Sequence, residues 1–409
     1  MEWLVRHPKM TVWLTSLELH GGYLDGDEIC GWLKSSPHMN NLTCLRLCEV
    51  KVGSVGCKQL VDRFVKLREL EVSDVRNEAL SVLTSGSNRN NLTSLYLNFG
   101  HVGEDKVGSE VRVEFSDSLA NLKHLSLCYW YGCKEISFTS PLVNLEYLDL
   151  SCNSNTKIHA GSNICNLTFL NLSENDIDDK SCLQIIQNNL PKLTHLDLSK
   201  TRIGNVALNS LTSNPKFSNI SHLNLSETAI THVKSLSSPT LSNLTNLNMD
   251  GLEIGSNGCH FLTLGKFKLT ALSMCQGQIG DEGLCILSKC PHMSNLKKLH
   301  LSHNQISSVG CEWLVNSPYV SNLTDLRLDG NSVGNEGCRL LANSCNMDKM
   351  TDLNLSKNGI TNEGCEYIAN SVHLFNLTSI HILGSDISDG ILRKSNLPNL
   401  CHINVSQYF

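Results

Sequence analysis

The unit Leu-x-x-Leu-x-Leu returns along the whole chain, and this internal repeat constrains the fold more than any other feature. Its first positions are Leu14, Leu42, Leu67, Leu92, Leu122, Leu145, Leu167, Leu193, Ile220, Leu244, Leu269, Leu296, Leu323, Met350, Leu377 and Leu400, which makes 16 units. The spacings run from 22 to 30 residues, and from Leu269 to Leu377 the period is a constant 27. A chain of 409 residues exceeds one ordinary core, since single cores stop growing near about 250–300 residues. Stacked repeats remove that limit, because their core grows in one dimension.

Within the unit, Leu-x-Leu has a period of two and predicts a short strand with one buried face. Eight positions after the first residue there is often Asn: Asn153, Asn175, Asn304, Asn331 and Asn358. A buried Asn can bond the backbone groups that a turn leaves unpaired, and neighbouring units would stack these into a ladder. An aliphatic residue two positions later, such as Ile177 or Ile306, returns the chain to the core. Gly-Cys follows at Gly56-Cys57, Gly258-Cys259, Gly310-Cys311, Gly337-Cys338 and Gly364-Cys365, with an aliphatic three residues on. A spacing of three places Cys and Leu on one helical face. Each unit therefore reads strand, turn, short helix.

These units resemble the leucine-rich repeat family. The Asn-x-Ile…Gly-Cys-x-x-Leu half is similar to its ribonuclease-inhibitor-like and cysteine-containing classes. The resemblance covers the whole chain and implies an α/β solenoid, a curved horseshoe with a parallel β-sheet on the concave face and short helices on the convex one. Residues 1–409 are expected to form a single domain of about 16 repeats that starts and ends within a repeat. Met1-Glu-Trp-Leu-Val5 parallels the segment ending Glu312-Trp-Leu-Val315, so the chain opens inside a convex helix. The last strand, Leu400–Val405, has no closing unit and offers an edge for self-association. Between Leu92 and Leu167 the helical half degrades. Val111-Arg-Val-Glu-Phe115 alternates and predicts an extended convex segment, and Tyr129-Trp-Tyr-Gly-Cys133 replaces the turn and its Asn.

The formal net charge of −6 argues against nucleic acid or an anionic membrane as partner, since neither is held without a basic surface. No stretch approaches 18 uncharged apolar residues, so no membrane insertion is expected. Charges at Glu2, Arg6 and Lys9 break up the start, which does not read as a secretory signal. The 18 Cys then read as free thiols in a cytoplasmic protein. Seven of them (Cys57, Cys182, Cys259, Cys311, Cys338 and Cys365 on the helical slot, and Cys30 one residue off it) are expected as small buried hydrophobes. Cys44, Cys48, Cys128 and Cys275 fall on outward strand positions. Asn-Leu-Thr occurs at Asn41, Asn91, Asn166, Asn243, Asn322 and Asn376 and reads as repeat grammar rather than as glycan acceptors. No Cys-x-x-Cys pair, zinc-finger spacing or phosphate loop is present, so neither cofactor nor metal is expected.

Positions 3, 5 and 7 of each unit should face solvent. Position 3 reads His124, Tyr147, Phe169, His195 and His222 on five consecutive strands, with Asp149 and Asp197 at position 5 and Tyr129 and Trp130 at the end of the His124 strand. Rings beside carboxylates have the composition of a recognition surface. Position 7 is mostly Ser. His195 with His222 could share a zinc, and Ser199 with His195 could be a nucleophile and base. An open sheet without a pocket or oxyanion donors argues against an enzyme. Lys298, Asp325 and Arg327 begin a mixed-charge stretch suited to specificity, and Glu69, Glu71 and Asp74 with Arg46 form an acidic patch. The expected function is a scaffold that binds another protein on the concave face. The alternatives are the substrate-recognition arm of an F-box-type ubiquitin ligase without its N-terminal domain, or an enzyme inhibitor of ribonuclease-inhibitor type. A surface recognition repeat is favoured only if the Asn-Leu-Thr sites carry glycans.

Overall fold

The computed structural model describes residues 14–21, 25–36, 39–73, 75, 82–83, 91–98, 111–114, 119–130, 133–137, 142–153, 157–159, 164–187, 189–383 and 387–405. The Met1–Val5 segment expected to be helical, Asp74 and Phe115 lie outside them. The chain forms two compact units, Met1–Arg202 and Ile203–Phe409.

The first unit holds eight parallel strands of the repeat: Ser16–His20, Cys44–Cys48, Glu69–Ser73, Ser94–Asn98, His124–Cys128, Tyr147–Asp149, Phe169–Asn171 and His195–Asp197. The second holds eight more, His222–Asn224, Asn246–Asn248, Ala271–Ser273, Lys298–His300, Asp325–Arg327, Asp352–Asn354, Ser379–His381 and His402–Asn404. Every strand begins two residues after the first position read from the sequence. Pairing is between equal positions, so Leu170 stands beside Leu196 in the first unit and Leu299 beside Leu326 in the second. The fold is the expected α/β repeat architecture.

The helical side is built as the spacing predicts. Helices Gly26–Ser35, Ser54–Arg63 and Asp179–Ile186 serve the first unit. The second has Gly255–Leu264, Gly280–Ser288, Ser308–Val315, Gly334–Ala342 and Asn362–Ala369, among others. The seven thiols expected in the core are all buried, Cys30, Cys57, Cys259, Cys311, Cys338 and Cys365 completely. The repeat starting at Ile220 lacks Gly-Cys and uses two short 3₁₀ turns instead, Lys234–Ser237 and Pro239–Leu241. In the first unit, Val111–Glu114 is extended as expected. It is one of three strands: Cys133–Ser137 and Lys157–His159 pair with it into a second parallel sheet that replaces helices in three successive repeats.

Three sets of polar bonds tie each repeat to its neighbour. The buried Asn residues form the expected ladder. In the first unit the Asn153 backbone N–H donates to Asn175 Oδ1 at 3.1 Å, while the Asn153 amide donates to the Leu127 and Leu150 carbonyls. The Asn of Asn-Leu-Thr donates to a carbonyl one repeat back, as Asn91 does to Val65 and Asn322 to Ser294. The Thr hydroxyl does likewise, from Thr168 to Glu146 and from Thr324 to Lys297. The tripeptide is therefore repeat grammar with a physical task.

One regularity was not anticipated. The seventh residue after the first position is left-handed: Glu49, Tyr129, Cys152, Glu174 and Lys200 in the first unit, and Glu227, Gly251, Gln276, His303, Gly330 and Lys357 in the second. Most are not glycine, so each carries about 1 kcal/mol of backbone cost. Their N–H groups are used: Glu174 donates to the Ser199 carbonyl and His303 to that of Asp329.

Candidate functional site

Equal-position pairing turns a spacing in sequence into a row in space. His124 pairs with Tyr147, Tyr147 with Phe169 and Phe169 with His195. The Tyr147 and Phe169 rings stack, with centroids 4.3 Å apart and planes 9° from parallel. His124 tilts against Tyr147 at 6.0 Å and His195 against Phe169 at 5.9 Å. All four side chains are half-buried. Burial, with the Asp149 carboxylate next in weight, pushes the Tyr147 phenol up to about 12. Burial lowers the His195 imidazole below its ordinary value. Both groups are therefore neutral near pH 7. His222 occupies the same position on the first strand of the second unit.

Asp149 and Asp197 face outward but are partly occupied. Asp149 Oδ1 accepts the Ser151 N–H at 3.0 Å, and Asp197 Oδ1 accepts the Ser199 N–H at 2.9 Å. Asn171 and Ser173 repeat the arrangement. A carboxylate or amide two residues before the turn thus closes it as an Asx turn. The Ser199 hydroxyl also donates to Asp197 Oδ1, at 2.6 Å. Its proton is directed away from His195, whose Nδ1 lies 2.8 Å from Thr194 Oγ1. The nucleophile–base pairing is not formed.

Trp130 must be corrected. It is 1% exposed and does not join the face. It fills the slot held elsewhere by the ladder Asn, and its backbone N–H donates to Asn153 Oδ1 at 2.8 Å. Counting eight from Leu122 would have placed it inside. Tyr129, the left-handed residue before it, is 39% exposed.

The sequence reading overlooked Tyr96, which stands beside Ser126 on the Ser94–Asn98 strand and is half-buried. Beyond it, Arg46 reaches Glu69 Oε1 through Nε at 2.9 Å and Nη2 at 2.7 Å, with Glu71 at 3.6 Å and Glu18 at 3.8 Å. Among the described residues on this unit's eight repeat strands the outward carboxylates are Glu18, Glu69, Glu71, Asp149 and Asp197, against Arg46 as the one arginine or lysine. The face carries excess negative charge. At one end of it Glu18, His20 and Cys48 place one ligand atom each within 4.8 Å of one another.

In the second unit His300 Nε2 lies 3.1 Å from Asp325 Oδ2, and Arg327 Nε lies 3.6 Å from Asp325 Oδ1. Lys298 is exposed on the strand beside Asp325. Burial raises the Asp325 carboxyl, but the His300 hydrogen bond and the charges of His300, Arg327 and Lys298 together hold it below the usual range. Lys298, His300, Asp325 and Arg327 form a charge cluster of the second unit with its own internal partners. Among the described residues no helix is long and apolar enough to cross a membrane.

Five segments of the chain match the family model described as Leucine Rich repeat: residues 163–185, 189–211, 292–315, 321–342 and 348–369. Each spans one strand-and-helix or strand-approach unit of the fold above. The chain is built of leucine-rich repeats. No curated protein matches it in sequence. Solved leucine-rich repeat structures do resemble it. An internalin from Listeria monocytogenes is 20% identical with a TM-score of 0.44, over 98% of this chain and 89% of that one. The TLR13–ssRNA13 complex is 20% identical with a TM-score of 0.45, over 93% of this chain and 59% of that one. The ectodomain of the Arabidopsis thaliana receptor kinase GASSHO1/SCHENGEN3, in complex with CASPARIAN STRIP INTEGRITY FACTOR 2, is 19% identical with a TM-score of 0.45, over 95% of this chain and 50% of that one. The chain thus spans about half to three fifths of the latter two. At this level the likeness concerns the repeat fold alone.

Proposed function

We propose that this leucine-rich repeat protein binds a cationic surface of another protein through the open sheet face of its first unit, with Tyr147 and Phe169 at the centre. A rigid sheet lined with outward side chains is a scaffold for interaction in general. The observation that supports this particular face is the stacked pair, held in register on adjacent strands beside an excess of carboxylates. Preformed rings lose little freedom on binding, so more of their contact energy appears as affinity. A negative face recruits a positive partner and repels phosphate backbones. No chemical step is assigned to it. We read Lys298, Asp325 and Arg327 as a second contact that sets specificity, and the buried thiols as those of a cytoplasmic protein.

The acidic face also favours one alternative, an inhibitor that covers a basic enzyme. The test is the same for both. Partners captured by the full chain are compared with those of the Tyr147→Ala/Phe169→Ala variant, at low and at high salt. Loss of a specific basic partner in the variant, with salt-sensitive capture by the wild type, supports the reading. Equal capture by both, at an unchanged melting temperature, overturns it. A captured partner that is an enzyme inhibited in the complex selects the inhibitor.

A further inference from the structure

Position 7 of the repeat is Ser in eight of the 16 units, a small residue at the end of the strand. The first two strands depart from this together, with His20 and Cys48. These two residues pair directly in register, His20 beside Cys48, so an imidazole and a thiol face outward about one strand spacing apart. Glu18, two residues before His20, points to the same face by the strand's period of two. Its Oε1 lies 2.7 Å from His20 Nε2. The three ligand atoms fall within 4.8 Å of one another.

We propose that Glu18, His20 and Cys48 form a zinc(II) site, with thiolate, imidazole and carboxylate as three ligands and water as the fourth. The donor set suits that ion, since sulfur and imidazole nitrogen favour zinc over magnesium or calcium. With bonds of about 2.0–2.3 Å, tetrahedral ligand atoms stand about 3.3–3.8 Å apart. The carboxylate and imidazole, 2.7 Å apart, must open slightly. Glu18 is 47% and His20 66% exposed at the side chain, so rotation at these side chains can supply that movement.

The surrounding charges are consistent with a cation. Glu18, Glu49 and Glu71 all act on the Cys48 sulfur with negative charge, and Arg46 alone opposes them. Arg46 stands beside Glu18 in register, but its two short bonds go to Glu69, and its contact with Glu18 is to Oε2, at 3.8 Å. Glu18 Oε1 is left to the His20 side. Binding displaces the thiol proton of Cys48 to solvent, with no change of oxidation state.

The site is tested on the full chain, reduced and stripped with a chelator. Cobalt(II) serves as the probe, read by its sulfur-to-metal charge-transfer absorption, and zinc affinity is measured by competition with a chromophoric chelator. One equivalent is expected to bind with a dissociation constant of about 1 μM or tighter. Cys48→Ser should abolish the band, and His20→Ala should weaken zinc at least roughly tenfold, in keeping with the loss of one ligand. Cys345→Ser/Cys401→Ser, which removes the two thiols that are exposed among the described residues, should leave both readings unchanged. Absence of the band in wild type overturns the proposal, as does its persistence in Cys48→Ser or its loss in the Cys345/Cys401 variant. If Cys48→Ser does not fold, His20→Ala decides: unchanged zinc affinity in that variant overturns it.

Discussion

The backbone N–H of Asn304 donates to the side-chain oxygen of Asn331, 2.8 Å away in the next repeat. The same oxygen accepts the Ile306 N–H at 2.9 Å, and the Asn331 amide donates to the Leu301 and Leu328 carbonyls. One buried side chain thus satisfies four backbone groups of two repeats. Asn331→Ala leaves the Leu301 carbonyl and the Asn304 and Ile306 N–H groups unpaired where water does not reach, while Leu328 keeps the Asn358 amide, and unpaired buried groups cost about 1–3 kcal/mol each without adding in full. We expect a loss of about 3–5 kcal/mol in urea unfolding. Asn322→Ala, which removes an exposed bond to the Ser294 carbonyl, should cost about 1 kcal/mol or less. Equal costs for the two would mean that the buried ladder is not a principal tie.

Trp130 takes the ladder slot in its own repeat and is 1% exposed. Truncation to Ala removes a large packed side chain and should cost about 3–5 kcal/mol. Tyr129→Ala should stay within about 0.5 kcal/mol in stability. In partner capture the order reverses: Tyr129→Ala acts on binding, while Trp130→Ala acts only through folding. A Trp130→Ala protein with unchanged stability would show that the residue is not in the core.

Asp325 supplies a pH dependence. Its folded-state carboxyl is held below the unfolded value of about 3.9. Burial works against this, and the His300 bond with the neighbouring positive charges outweighs it. A depressed carboxylate stabilises the fold fully above its unfolded value, and that contribution is lost as pH falls through the folded one. The stability difference between wild type and Asp325→Asn should therefore be largest above pH ~5 and shrink below pH ~4. A difference that is flat with pH, measured by denaturant titration, would remove the His300–Asp325 pair from the account.

Thiol reactivity separates the two classes of cysteine. Burial pushes Cys259 and Cys311 up to about 12 and Cys365 up to about 11. Cys345 and Cys401 are exposed. Since the thiolate is the reactive form, a thiol reagent near pH 8 should label Cys345 and Cys401 within minutes. Cys57, Cys259, Cys311, Cys338 and Cys365 should react only on unfolding. Rapid native labelling of these five, mapped by mass spectrometry, would show that the helical side is packed differently.

The strands, the Asn ladder, the buried thiols and the ring row were all legible because each follows from counting along a repeat. The errors arose where counting stopped short. Trp130 looked like a surface aromatic because it was read by residue type rather than by its place eight after Leu122. Asp149 and Asp197 looked free because the recurring carboxylate-or-amide and Ser two apart was read as composition, not as an Asx turn. Glu18, His20 and Cys48 escaped because pairing across strands was followed along the ring row alone, whereas here the 28-residue separation of His20 and Cys48 closes through strand register at the other end of the face. The left-handed residue is legible only in the backbone, since Glu, Tyr, Cys, Lys, Gln, His and Gly all occupy it.

The ties between repeats reach one neighbour back or forward and no further. Between Leu269 and Leu377, where the period is a constant 27, this gives the chain a translational symmetry. A block of 27 residues copied and inserted in frame there would meet, at both of its junctions, backbone groups at the same repeat positions as those it left behind. Lengthening the molecule by whole periods requires no new interface to be invented, while a change of a few residues would break every rung it interrupts.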